Sequence, residues 1–290
     1  MESFRESLKR ILSKKEQSQA IYGFDVLGDM ALIEIPAALQ TKKKKIAQTL
    51  LDTQQNVTRV YEKIGEHEGK YRVEKIAWLA GKKDSVAHYK EWGCVFHFDP
   101  GTVFFNPRLG TERQRVAEMV SKNKTTAVFF AGVGPYAIQI AKHRAPKKVY
   151  AVEWNPAAKP FFILNAVQNK VNSLVQFSSG DISKIPPKAE CDHVVLPAPE
   201  TALDYLDVAM KWISPKGGMI HLYLFAGDPD AEKNAREKVL EKTKSFARKT
   251  KIAFIRKVSD FSPSKRQFCV RVKVLPLFSR AKPSEFKKKK

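Results

Sequence analysis

Two glycines and two carboxylates have the types and spacing to hold a ligand. The stretch "TTAVFFAGVGPYAIQIAKHR" (125–144) runs from an apolar segment into Gly132 and Gly134, then into a second apolar-patterned segment. A glycine turn between a strand and a helix brings backbone close to a ligand. "GVGPYA" fits the G-x-G-x-x-G/A pattern, and Glu153 lies 21 residues after Gly132 at the end of "VYAVEW". A nicotinamide or flavin dinucleotide is one reading of that spacing. Asp181, in "GDI" after the next apolar run, adds a second acceptor. Glu153 suits the hydroxyls of a ribose and Asp181 the amino group of an adenine. A single adenosine with a short extension fits this set more naturally than a dinucleotide, which points to S-adenosylmethionine. Asp181 also has the bland reading of a turn cap. Pro135 stands where a first helical turn tolerates a missing N–H.

These residues need strands that end at one edge. "TTAVFFAG", "KKVYAVEW", "LVQFSSGD", "CDHVVLPAP" and "GMIHLYLFA" read as strands, with helices between them at about 135–144, 156–170 and 201–213. Such alternation predicts a doubly wound parallel sheet with its ligand at the carboxyl ends of the strands. "KIAFIRKVSDF" and "QFCVRVKVLPL" close the chain as an antiparallel hairpin. Before the alternation, residues 2–18 read as one charged helix with Phe4, Leu8 and Leu12 on one face. Residues 22–36 read as two strands about Gly28, and 37–54 as a helix whose Lys42–Lys45 are mostly solvated. "VTRVYEKIG", "KYRVEKIAWLAG" and "SVAHYKEWGCVFHFDPGTVFFNP" read as a run of strands, and 110–122 as a helix. The expected organisation is an N-terminal helix (1–19), a small α+β RNA-binding module (20–109), a catalytic domain (110–278) and a basic tail (279–290).

The chain has 290 residues and a formal net charge of +22. That excess points to nucleic acid, because cationic side chains on phosphates release condensed counterions; a solvated lysine-rich surface is the plain alternative. No run approaches the ~20 apolar residues of a membrane span, and the charged N-terminus has no signal-peptide core. Cys94, Cys191 and Cys269 are scattered, with no CxxC or Cys/His cluster to bind zinc. The expectation is a cytoplasmic protein without a metal or membrane partner. No protein partner is evident, and a monomer is expected.

"VFFNPRLGTERQRVAEMV", "FFAGVGPYAIQIA", "VYAVEWNPAA" and "DHVVLPAPETALDYLDVAM" resemble, in that order, the archaeal and eukaryotic tRNA (guanine-37-N1)-methyltransferases. "FDVLGDMALIEIP" and "GKYRVEKIAWLAG" resemble the small domain that precedes catalysis in that family, so the likeness runs from about Ser3 to Pro276. It implies a class I S-adenosylmethionine-dependent methyltransferase fold with a β-rich N-terminal module. The implied activity is methyl transfer to N1 of guanosine 37 in the tRNA anticodon stem-loop. By the same resemblance Glu112 is the general base and Arg72 assists it; Arg72 and Arg108 are the RNA contacts. Arg113, Phe130, Gly132, Gly134, Glu153, Trp154, Asp181, Ile182 and Pro197 are the cofactor residues. Chemistry agrees on Glu112: N1 of guanine must lose a proton as the methyl arrives, and a carboxylate within reach is a natural acceptor. Glu112 would also suit the N-terminus of a helix.

Three departures from the family pattern stand out. Val128 replaces an Asp, removing an acid from the cofactor floor. "LPAP" replaces "NLP", so Pro197 sits where an Asn amide is usual. The chain starts where an N-terminal elbow-binding domain would end. Related wybutosine-pathway enzymes on the same scaffold methylate C7 of an imidazo-guanosine, or transfer an aminocarboxypropyl group, at the same nucleotide. They form the alternative reading, and a non-catalytic basic tRNA-binding protein is a further one.

Overall fold

A computed structural model describes residues 2–68, 71 and 73–277. The chain divides into two compact units. One holds the described residues up to Asn123 together with Phe130–Ile185; the other holds Lys124–Phe129 and the described residues from Pro186 onward.

The first unit opens with two short helices where one was expected. Ser3 and Glu6 form a capping box that starts α1 (Phe4–Ile11). Leu12 is extended, and Ser13 with Glu16 repeats the box to start α2 (Lys14–Gln17). A serine that can bond back to its own backbone favours restarting a helix over continuing it. The face Phe4, Leu8, Leu12 is buried as expected. Strands β1 (Phe24–Leu27), β2 (Met30–Ile33), β3 (Arg59–Glu68) and β4 (Val73–Gly81) form a sheet in that order. β2 and β3 are parallel, so the chain must cross over between them. A 3-10 turn (Ala37–Lys42) and α3 (Lys43–Thr53) make the crossover. Ile46, Ala47 and Leu50 of α3 join Leu8, Ile33, Val60 and Leu79 in one core. Burying a side chain of the size of Ile46 or Leu50 contributes about 1.5–3 kcal/mol. Two of the four lysines are less solvated than the sequence suggests, because Lys42 pairs with Glu16 and Lys43 with the buried Glu62.

A hairpin follows, β5 (Ala87–Glu91) with β6 (Cys94–Phe98). The expected strand run ends there. Asp99 accepts from Gly101 N and Ser85 Oγ, and its carbonyl from Thr102 N and Val103 N, which turns the chain. The alternation predicted from sequence then appears. It comprises α4 (Gly110–Met119), β7 (Thr125–Phe129), α5 (Pro135–Arg144), β8 (Lys148–Glu153), α6 (Ala158–Gln168) and β9 (Val175–Ser179). β8 and β9 are parallel. The second unit adds β10 (His193–Leu196), α7 (Leu206–Trp212), β11 (Gly218–Gly227), α8 (Ala231–Lys244), β12 (Thr250–Ser262) and β13 (Lys265–Val274). Its strands run β12-β13-β11-β10-β7, with β7, β10 and β11 parallel and the closing hairpin antiparallel. α8 is absent from the sequence reading. Its buried stripe is Ala231, Ala235, Val239 and Thr243, too small and too polar to give an apolar period. Among the described residues no helix is long and apolar enough to cross a membrane. All three cysteines are free and buried, and burial pushes the Cys94 thiol to about 11 and that of Cys191 to about 12.

The second unit carries a pH-sensitive histidine. His193 Nδ1 lies 3.2 Å from His221 Nε2. Burial pushes His193 down from 6.5 to about 4; Lys124 and Arg271 add to the shift and Asp192 opposes it. Between those two values the unfolded chain binds more protons than the folded one, so stability falls as pH drops through that window. Unfolding by urea at pH 7 and at pH 4.5 should show a loss of about 2–3 kcal/mol from this residue. In His193→Gln this part of the pH dependence should vanish; an unchanged dependence would assign it to other groups.

Candidate functional site

The glycine turn lies in the first unit between β7 and α5. Its backbone is left-handed at Phe130 (φ 50°), Gly132 (φ 54°) and Gly134 (φ 95°). The two glycines do different work. A Cβ on Gly134 would come within 2.8 Å of the Phe162 ring, so Gly134 lets α6 pack against the turn. A Cβ on Gly132 would meet only the Phe104 carbonyl at 3.8 Å, so Gly132 presents bare backbone to open space. Carboxylate and turn are joined directly. Glu153 Oε2 accepts from Gly132 N at 2.7 Å and Oε1 from Asn155 N at 2.7 Å. Burial raises the Glu153 carboxyl above its ordinary value, and these backbone donors counter part of that rise. The Glu153 carbonyl accepts from Gly180 N at 2.9 Å, which draws the end of β9 to the end of β8.

Asp181 follows Gly180 and caps the turn Ile182–Lys184, its Oδ1 accepting from Ser183 N and Ser183 Oγ. Those two bonds hold its carboxyl below the usual aspartate value. The capping role anticipated for Asp181 is therefore present. Ile182 is buried, and Trp154 is half-exposed with its ring edge-on to Tyr71 at 6.4 Å. The structure thus brings Gly132, Gly134, Glu153 and Asp181 to one edge.

The second part of the site is the start of α4. Asn106 Oδ1 accepts from Arg108 N and caps the turn Pro107–Leu109, which leads into Gly110. Glu112 is buried in the first helical turn, and Arg115 grips its carboxylate with two nitrogens, Nε on Oε2 at 2.7 Å and Nη2 on Oε1. Arg113 turns to a different partner. Its Nε and Nη2 bond Glu91 of β5 at 2.7 and 2.5 Å, its Nη1 bonds the Asn106 carbonyl, and its guanidinium lies 5.0 Å from the Phe105 ring centre. Gln139 of α5 donates to the same Glu91 at 2.8 Å. Arg108 is exposed and pairs with Asp25 of β1 at 2.7 Å. Arg72 lies outside the described residues. Pro197 follows β10 in the second unit, where the next carbonyl, of Ala198, accepts from Thr201 N and Ala202 N. Val128 is buried in β7 and paired with Val195.

Sequence reasoning missed Glu91 and two asparagines. Asn165 of α6 bonds both the N–H and the carbonyl of His97 and also the Val133 carbonyl. Asn169, one turn on, does the same to Val95. Two amides, one in α6 and one at its C-cap, thereby bond the β6 backbone and tie the glycine turn to it. Their i, i+4 spacing in "NAVQN" was the one available signal. Among the described residues no His, Cys, Asp and Glu cluster is arranged to hold a metal.

Residues 87–255 match the family described as the TRM5/TYW2 methyltransferase domain, and residues 4–85 match the TYW2 N-terminal domain. The chain belongs to the TRM5/TYW2 family. It is 33% identical over 249 residues to the tRNA (guanine(37)-N(1))-methyltransferase Trm5b of Pyrococcus abyssi, covering 86% of this chain and 73% of that one. The crystal structure of that Trm5b superposes with a TM-score of 0.83 at 29% identity, over 95% of this chain and 81% of that one. The chain is also 30% identical over 218 residues to the tRNA 4-demethylwyosine(37)-methyltransferase Taw21 of Saccharolobus solfataricus, covering 74% and 83% of the two chains. A complex of aTrm5 with tRNALeu superposes with a TM-score of 0.81 at 26% identity, over 94% of this chain and 78% of that one. The fold is that of class I methyltransferases, with a β-rich module in front, as the sequence implied.

Proposed function

We propose that this TRM5/TYW2 family member transfers a methyl group from S-adenosylmethionine to N1 of guanosine 37 of tRNA. The observation that carries the reading is Glu112, a buried carboxylate fixed by Arg115 in the same helix that starts from the "NPRLGTER" block. Glu153 on Gly132 N, together with the open face of Gly132, fits the adenosyl and methionine portions of that ligand. Its bare backbone leaves room for a chain that any Cβ would crowd. When bound, S-adenosylmethionine supplies a methyl group made electrophilic by a sulfonium and leaves as S-adenosylhomocysteine. Glu153 would hold the ribose hydroxyls, and Asp181 the adenine edge through the oxygen that its cap leaves over. Glu112 takes the N1 proton as N1 gains the methyl. Arg115 fixes the orientation of that carboxylate, and Arg113 positions the start of α4 by locking it to β5 and α5. By the family resemblance of "YRVEK", Arg72 assists the methyl transfer. The two relatives named for guanine-37 and tRNALeu support tRNA as substrate, as does the net charge of +22.

A second reading has its own support. Taw21 is nearly as similar as Trm5b, and the N-terminal match is to the TYW2 domain. Here the protein would methylate a wyosine-type guanosine at position 37, and "LPAP" in place of "NLP" is the sequence departure that agrees with it. Labelled S-adenosylmethionine offered to two tRNAs separates the readings. One carries guanosine 37 and the other 4-demethylwyosine 37. Label on the first alone supports N1 methylation of guanosine; label on the second alone overturns it.

Glu153→Gln tests the cofactor end. It removes the charge on an acceptor of ribose hydroxyls, and a hydrogen bond to a charged group is worth about 1.5–3 kcal/mol. Calorimetry should show S-adenosylmethionine affinity reduced by roughly 10–100-fold. Undiminished affinity would remove Glu153 from the site.

A further inference from the structure

One groove among the described residues has none of the glycine-turn residues in its lining. It is a groove of about 680 Å³ in the first unit, between the β1–β2 turn, the start of β3 and β5, lined by Asp29, Arg59, Lys82, Asp84, Tyr89 and Lys90. Its walls are held in place before any ligand arrives. Arg59 is buried in the floor and grips Asp29 on one side at 2.6 Å and Asp84 on the other at 3.1 Å. Both acids are therefore spent on one guanidinium. Lys82 and Lys90 are exposed on the rim. Among the described residues neither has an ion-pair partner, so the groove has a surplus of positive charge. A groove whose carboxylates are already paired and whose rim carries two exposed ammonium groups favours an extended anion.

The same walls connect to the proposed methyl-transfer site. Val26 of β1 lines the groove, and its neighbour Asp25 holds Arg108 at 2.7 Å. The Tyr89 hydroxyl points at the Pro107 carbonyl at 3.4 Å. Both contacts end in the "NPRLGTER" block that carries Glu112.

We propose that this groove takes a sugar–phosphate segment of the tRNA, with Lys82 and Lys90 on its phosphates. The proposal rests on tRNA being the substrate and adds where its backbone is gripped.

The test uses the full chain and a tRNA transcript carrying guanosine 37. Lys82→Ala/Lys90→Ala should bind the transcript about tenfold or more weakly at moderate salt, with the log–log salt slope reduced by about 2. Lys82→Arg/Lys90→Arg keeps the charge and should retain most of the affinity. S-adenosylmethionine affinity, measured by calorimetry, should be the same in all three proteins. RNA affinity and slope unchanged in the alanine variant overturn the groove while leaving tRNA as substrate intact. Parallel loss of S-adenosylmethionine affinity also overturns it, since the lysines would then act through the fold. A wild-type protein with no affinity for the transcript overturns the tRNA reading itself, and the groove with it.

Discussion

Glu112→Gln should slow methyl transfer by roughly 10²–10⁴-fold in single turnover, the usual worth of a positioned base. Glutamine keeps the size of the side chain and can still bond Arg115, so α4 should fold unchanged. It cannot take the N1 proton. Affinities for S-adenosylmethionine and tRNA should change little, because the loss falls on the transition state alone. Equal falls in kcat and kcat/KM are the signature. Arg115→Ala should produce a smaller fall of the same kind, since it frees the carboxylate to turn without removing it. A Glu112→Gln protein that works at wild-type rate would hand the proton to another group. Glu112 would then be only a favourable charge at a helix N-terminus.

The second large effect is on stability. Arg113→Ala should cost about 3–5 kcal/mol, because among the described residues it leaves the buried Glu91 carboxylate with only the Gln139 amide as partner. Arg113 and Glu91 are 2% and 8% exposed, so the ion pair is shielded from bulk water. Removing both partners should cost less than the sum of the single changes, and a double-mutant cycle measured by denaturant unfolding reads the difference. The resemblance put Arg113 beside the cofactor. If Arg113→Ala kept its stability and lost only S-adenosylmethionine affinity, the guanidinium would act on the ligand rather than on Glu91.

What was legible in the sequence was what local chemistry encodes. Pro135 after a glycine turn, followed by an apolar period, places a helix at 135–144, and α5 has those bounds. The turn itself, Glu153 and Asp181 were readable because strand, turn and helix follow one another in the chain. α8 was not legible, since alanines at i, i+4 with charged neighbours carry no apolar contrast. The split of the first helix turned on Ser13, whose cap competes with helix continuation. The partners of the site residues were illegible for another reason. Glu112 and Arg113 are adjacent, yet one pairs within its own helix and the other with a strand 22 residues earlier. Residue type announces a charge; only the fold says which opposite charge it meets. Asn165 and Asn169 looked like ordinary polar helix positions until β6 lay against them.

The central claim is a methyl group on N1 of guanosine 37. Nucleosides released from a guanosine-37 tRNA after incubation with the protein and labelled S-adenosylmethionine test it by mass spectrometry. Label should appear in 1-methylguanosine, be lost when position 37 is adenosine, and form far more slowly when Glu112 is glutamine. Label in any other nucleoside, or 1-methylguanosine formed from the adenosine-37 tRNA, would contradict it.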